Sequence, residues 1–237
     1  MSTATAPAPR PVRTIPTIEA SPEEIYDIEL EHSLLEANAK IAEQNRAVLD
    51  KHGITAIDFM GAIGSGKTTL IAKLVEKLKN KHGVAVFNAD ATTSDDQNLV
   101  AGSGIQVVQL ATVNGCHLDA NLVQKALNTI KLDGLRLLFL ENIGNLICPA
   151  EFPLGAKARV VVISVTEGPW SVRKHPHMFL GAQIVVINKT DLAAAMEVSV
   201  EDLAADVRKL KPDIKVIPAS CRTGAGVDEI AAALLAI

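Results

Sequence analysis

The chain has 237 residues, of which 48% are hydrophobic and only 3% aromatic, and its net charge is −4. That composition excludes a disordered polymer and asks for a core built from Val, Ile, Leu and Ala. The balance of 23 basic against 27 acidic side chains argues against a nucleic-acid-binding surface, and no apolar run is long enough to span a bilayer.

Residues 1–20, rich in Pro, Ala and Thr, read as a disordered tail. Arg10 and Arg13 are followed by no apolar stretch, so the tail does not resemble a secretory signal. A cytoplasmic, reducing location is therefore the expectation, in which the three cysteines serve as thiols or metal ligands. Ser21-Pro22-Glu23-Glu24 opens a helix: Ser21 suits the cap, Pro22 the first helical position, and Glu24 completes a capping box. The helix runs over about 22–52, with Ile28, Leu30, Leu34, Leu35, Ala39, Ile41 and Ala42 near one face, and Gly53 stops it.

Strand and helix alternate from there. Strands are predicted over Ile54–Met60, Val84–Asn88, Ile105–Leu110, Leu135–Leu140, Arg159–Val165, Gln183–Ile187 and Lys215–Ile217. Helices are predicted over Thr68–Lys81, Asp119–Thr129, 200–210 and Asp228–Leu235. Almost wholly apolar strands separated by helices predict an α/β fold, with a mostly parallel central sheet covered by helices on both faces. The expected division is a tail over 1–20, an N-terminal helix over 21–53 and a P-loop NTPase domain over 54–237.

The first strand leads into Gly61-Ala62-Ile63-Gly64-Ser65-Gly66-Lys67-Thr68, followed by Thr69. A glycine-rich loop between a strand and a helix turns backbone N–H groups toward the phosphates of a nucleotide, and the helix N-terminus adds its positive end. Lys67 would reach the β- and γ-phosphates, and the Thr68 hydroxyl would ligate Mg²⁺. Asn188-Lys189-Thr190-Asp191 follows another strand. The Asp191 carboxylate can accept from both the N1–H and the exocyclic amine of guanine, a pair of donors adenine lacks, and this selects GTP. Lys189 can lay its aliphatic stem over the base. Ser220-Cys221-Arg222 follows the last strand and is placed to support the base through a backbone N–H. Asp90 and Glu141 fall at C-terminal strand ends, where open α/β sheets bind ligands, and are candidates for the Mg²⁺ shell or for orienting the attacking water. Gly144 could offer its N–H to the γ-phosphate, making the loop after it a switch.

Cys116-His117 opens the helix predicted at Asp119, and Cys148 lies within the presumed switch. Thiolate and imidazole suit Zn²⁺ or Ni²⁺, but three ligands per chain is one short of a tetrahedron, which a symmetric dimer could complete. On spacing alone each cysteine reads better as a small buried hydrophobe. His175-Pro176-His177 offers a second metal pair but reads better as a polar surface loop, and His32, His52 and His82 read as helix-surface residues.

Taken together, these residues resemble the HypB family of hydrogenase nickel-incorporation GTPases, of the SIMIBI class. The resemblance covers about residues 30–237 and rests on Gly61–Thr69, Asn114-Gly115-Cys116-His117-Leu118-Asp119-Ala120, Glu141-Asn142-Ile143-Gly144-Asn145-Leu146-Ile147-Cys148-Pro149, Val165-Thr166-Glu167-Gly168 and Asn188–Asp191. It implies a GTP-dependent homodimer, a nickel or zinc site on Cys116, His117 and Cys148, and transfer of nickel to a hydrogenase large-subunit precursor with a partner nickel chaperone. The N-terminal Cys-rich or His-rich nickel motif of some members is not matched here. Leu99 stands where members usually have Arg, and Arg222 where Lys is more usual. Cys148-Pro149 is followed by Ala150 rather than His, which sets the chain apart from urease accessory GTPases. A nucleotide-gated scaffold without metal transfer remains the reading from another class.

Overall fold

The computed structural model describes residues 22–89, 105–110 and 117–237, and of residues 22–32 and Cys148 the backbone alone. The expected tail, the Ser21 cap, Asp90, Leu99 and Cys116 therefore lie outside the described residues. The chain divides into two compact units, Met1–Leu34 and Leu35–Ile237. Of the first, the helix from Pro22 is described, with side chains at Ser33 and Leu34 alone; the second carries the sheet.

Helix α1 (Pro22–Lys51) ends where Gly53 adopts φ 67° and Ile54 N–H donates back to the Leu49 carbonyl. Its buried face differs from the apolar stripe the sequence suggests. Asn38, Ala42, Asn45 and Leu49 are buried, whereas Leu35, Ala39 and Ile41 are only half-buried. Two asparagines are admitted because their amides meet backbone groups: Asn38 Oδ1 accepts from Ala120 N–H (2.8 Å), and Asn45 Nδ2 donates to the Ala120 and Leu154 carbonyls (2.8 and 3.2 Å).

The remaining elements are β1 (Thr55–Met60), α2 (Lys67–Leu78), β2 (Gly83–Asn88), β3 (Gln106–Gln109), α3 (Ala120–Leu127), β4 (Leu135–Glu141), β5 (Ala158–Ser164), α4 (Ser171–Lys174), α5 (His177–Leu180), β6 (Ile184–Asn188), α6 (Val200–Leu210), β7 (Lys215–Pro218) and α7 (Val227–Leu235). The strands form one parallel sheet in the order β3-β2-β4-β1-β5-β6-β7. The chain thus leaves β1 in one direction for β2 and β3, returns through β4, and continues in the other direction from β5. The loop after β1 lies at that switch point, where doubly wound sheets bind ligands.

Alternation along β1 places Ile57 and Phe59 in the core beneath α2 and α7, with Leu70, Leu74, Ile230 and Leu234. Phe59 meets Phe139 of β4 edge to face, with ring centroids 5.4 Å apart. The opposite face is buried in two clusters, one around Met60, Ile163, Phe179 and Val207 and one around Leu49, Phe87, Leu118 and Leu138. Each fully buried Phe or Leu contributes on the order of 1.5–3 kcal/mol.

The strand and helix order matches the alternation in the sequence, with ends displaced by a few residues. Val165 falls outside β5 in a 3₁₀ turn, Val165–Glu167, closed by a capping box between Ser164 and Glu167. The turns Cys148–Ala150 and Thr190–Leu192 and the helices α4 and α5 go beyond the sequence expectation; three or four residues carry no periodic signal. His175 ends α4 and His177 begins α5, so the pair expected on a loop borders two short helices.

Candidate functional site

Strand β1 is buried along its whole length and delivers the glycine loop to the end of the sheet. Two glycines there are required by space. A Cβ at Gly61 would run into the Val162 carbonyl, and one at Gly66 (φ 95°) would strike the Asn188 side-chain amide. Gly66 is also the residue before α2 and has no side chain to cap it, so the first-turn N–H groups face the loop, as an anion site requires. Lys67 is 3% exposed, and its Nζ donates to the Gly61 and Ala62 carbonyls, each at 3.2 Å. The ammonium is therefore held across the loop. Ser65 is buried, whereas Ile63 is 77% exposed at the rim.

Thr68 Oγ1 donates to Glu141 Oε1 at 2.5 Å. Glu141 stands at the C-terminal strand end, as expected: it is the last residue of β4, fully buried and in register with Phe59 of β1 and Asn88 of β2. A hydroxyl and a carboxylate converging at the start of α2 are hard oxygen donors that fit Mg²⁺. The chain leaving Glu141 is laid directly on the phosphate loop: Asn145 bridges Gly61, and a Cβ at Gly144 would strike Ile63.

The segment after β6 closes the other side. Asn188 ties the site together: its Nδ2 donates to the Ser65 carbonyl (2.9 Å) and its Oδ1 accepts from Cys221 N–H (3.2 Å). Lys189 takes φ 60°, and its Nζ reaches the Gly64 carbonyl at 2.6 Å, so its stem spans the gap between the two segments. Asp191 Oδ1 accepts from Ser220 Oγ at 2.6 Å, which orients the carboxylate. Ser220 and Cys221, expected to act on the base through the backbone, thus also brace Asp191 and Asn188. The Cys221 thiol is buried, and burial pushes its pKa up. Arg222 is exposed.

Glu167 is a site residue to which the sequence pattern assigns no role. Its Oε1 accepts from Ser164 N–H at 2.9 Å, and among the described residues its buried Oε2 has no hydrogen-bond partner. Burial raises its pKa from 4.5 to about 7, against the Ser164 hydrogen bond and the opposing fields of Lys189 and Lys67.

On the other flank, the His117 ring stacks on Phe152, with centroids 3.7 Å apart and planes 23° apart. Burial lowers the His117 pKa, opposed by Asp119, and favours the neutral imidazole that can ligate a metal. Asp119 caps α3 by accepting from Leu122 N–H at 2.7 Å. Phe152 lies just beyond the turn Cys148–Ala150, so the stack joins His117 to the Cys148 segment. Among the described residues no three His, Cys, Asp or Glu side chains form a metal-sized cluster. Phe152 lies outside the sequence expectation, because an aromatic partner for a histidine carries no local signal. A separate cavity of about 560 Å³, away from the phosphate loop, is lined in part by Glu43, Arg46, Asp58 and Arg159.

Comparison with known proteins places these features. The description "CobW/HypB/UreG, nucleotide-binding domain" matches residues 55–218. A probable hydrogenase maturation factor HypB from Methanocaldococcus jannaschii is 45% identical over 203 residues, covering 86% of this chain and 92% of that protein. The hydrogenase maturation factor HypB of Escherichia coli K12 is 38% identical over 85% of this chain and 70% of its own length. The crystal structure of HypB from Archaeoglobus fulgidus superposes with a TM-score of 0.81 at 39% identity, over 85% of this chain and 98% of that one. HypB from Helicobacter pylori in complex with nickel superposes at 0.79 with 30% identity, over 84% and 94%. No helix among the described residues is long and apolar enough to cross a membrane.

Proposed function

Because the chain belongs to the CobW/HypB/UreG family, and within it to the HypB hydrogenase maturation factors, we propose that it is a GTP-hydrolysing nickel carrier for nickel–iron hydrogenase maturation. Asp191 reads guanine, Lys189 covers the base, and the amides of Gly61–Thr68 with Lys67 hold the phosphates. Thr68 and Glu141 would hold Mg²⁺, whose charge offsets that of the β- and γ-phosphates. Hydrolysis is slow unless a partner supplies an arginine finger. Asp90 or Glu141 orients the attacking water.

GTP orders the loop after Glu141 through Gly144 and closes a homodimer. The exposed Ile63 and Ile147, one on each of the two apposed loops, give that interface an apolar rim. Cys116, His117 and Cys148 of two copies then enclose the cargo, nickel or zinc. Hydrolysis loosens the geometry and releases nickel to a hydrogenase large-subunit precursor or exchanges it with a partner chaperone. The observation that carries the reading is the stack of His117 on Phe152, beside the Cys148 turn and on the same loop as Gly144.

The test is titration of Ni²⁺ and Zn²⁺ into wild type and Cys116→Ala, with GDP and with a non-hydrolysable GTP analogue, while molecular mass is followed by light scattering. The analogue is expected to double the mass and tighten metal binding in wild type, and Cys116→Ala to lose the tight site. Metal affinity and mass that ignore the nucleotide would refute the mechanism.

A further inference from the structure

A carboxylate sits where an apolar residue would pack more easily. Asp58 lies in the middle of β1, on the face it shares with Ala56 and Met60, and is 2% exposed. A buried ion pair is often no more stabilising than apolar residues of similar volume, so its presence calls for another explanation. Asp58 Oδ2 accepts from Arg159 Nε of β5 at 3.3 Å, and Oδ1 accepts from Asn142 Nδ2 at 3.2 Å. Burial raises the Asp58 pKa, while Arg159 and Asn142 act in the opposite direction.

Both partners of Asp58 hold something else. Arg159 sends Nη1 to the Ala150 carbonyl at 3.1 Å and Nη2 to the Pro149 carbonyl at 3.5 Å, gripping the turn that Cys148 opens. A Cβ at position 181 would come within 2.9 Å of Arg159 Nη1, so Gly181 leaves the guanidinium its path. Asn142 Oδ1 accepts from Leu118 N–H at 3.1 Å, next to His117. The Asn142 N–H donates to the Phe59 carbonyl at 3.0 Å, and the residues after it lie on the phosphate loop through the Gly61–Asn145 bridge and the Gly144–Ile63 approach. Two buried side chains, Asp58 and Asn142, and the half-buried Arg159 therefore connect the His117 segment, the Cys148 turn and the strand that carries the phosphate loop.

We propose that Asp58, Asn142 and Arg159 are positioning residues that set the spacing between the His117 segment and the Cys148 turn and make that spacing depend on the state of the phosphate loop. The role in metal handling rests on the reading of Cys116, His117 and Cys148 as ligands. No side-chain hydrogen bond of the three goes to Gly61–Thr68 or Asn188–Asp191, so disturbing them should separate nucleotide binding from its consequences. Outer residues that orient metal ligands typically change metal affinity by about 10–100-fold when removed.

The experiment uses the full chain as wild type, Arg159→Met, Asp58→Asn and Arg159→Lys. Amide hydrogen exchange at Leu118, read without nickel and with GDP or a non-hydrolysable GTP analogue, tests the relay by itself. Nickel affinity in the same two nucleotide states tests its use. Arg159→Met is expected to retain GTP and GDP affinity within about threefold, speed Leu118 exchange about tenfold and weaken nickel about tenfold or more. The ratio of nickel affinities between the two nucleotide states should fall toward one, a change that a merely structural role would not produce. Arg159→Lys keeps the charge beside Asp58 with fewer donors and should recover part of both effects; it also serves if Arg159→Met does not fold. Wild-type exchange at Leu118 in Arg159→Met and Asp58→Asn overturns the proposal. Altered exchange with nickel binding indifferent to both Arg159→Met and Cys148→Ala supports the relay and refutes the metal reading instead.

Discussion

The Asn188 side-chain amide donates to the Ser65 carbonyl across 123 residues of sequence, and so fastens the segment after β6 to the phosphate loop. The same side chain accepts from Cys221 N–H, which brings the loop after β7 into the same site. Three separate stretches thus meet at one side chain of the Asn188–Asp191 motif.

Asn188→Ala is expected to act on the pocket as a whole. It orphans a buried carbonyl and a buried N–H, each costing about 1–3 kcal/mol. GTP and GDP should weaken together, by about tenfold or more, and the melting temperature should fall. Calorimetric titration with both nucleotides, alongside a thermal melt, checks this; loss of GTP binding alone would contradict it.

Asp191→Asn should instead change which base is bound. Its carboxylate is oriented by Ser220 Oγ at 2.6 Å, and an amide there offers one donor where two acceptors are needed. GTP affinity should drop about 100-fold or more, with xanthosine triphosphate becoming the preferred ligand, as read by competition binding.

Gly144→Ala places a methyl against Ile63 of the phosphate loop. On the proposed reading, Gly144 N–H meets the γ-phosphate, so GDP affinity should change by less than about threefold while the hydrolysis rate falls about tenfold. Single-turnover hydrolysis compared with GDP titration separates the two. Equal losses of both would show that Gly144 supports the fold of the loop rather than its triphosphate state.

Glu167 predicts a pH dependence of stability. Its folded pKa of about 7 exceeds the ordinary 4.5, so between those values the folded protein binds more protons than the unfolded one. Stability should fall as pH rises through that window and level off above it, by at most about 3 kcal/mol. Glu167→Gln, which can still accept from Ser164 N–H, should flatten that slope in urea melts taken from pH 4.5 to 8. A slope identical to wild type would locate the titrating group elsewhere.

The sequence by itself determined the parts whose information is contiguous. The phosphate loop, the Asn188–Asp191 segment and the run of apolar strands between helices are local patterns, and the structure places them in a parallel seven-stranded sheet with the loop at its switch point. The proposal of Cys116, His117 and Cys148 as metal ligands comes from resemblance, since spacing alone favours buried thiols. Tertiary structure decided what depends on strand order. Insertion of β4 between β2 and β1 brings Glu141 to Thr68 and Asn142 to Asp58, and the neighbouring β5 delivers Arg159 to the same carboxylate. Asn38 and Asn45 are buried for the same reason: their partners on residues 120 and 153–154 come together only when the chain has closed. A hydrogen bond between distant polar groups leaves no period in the sequence, and its energy becomes favourable only once folding has removed water from both ends.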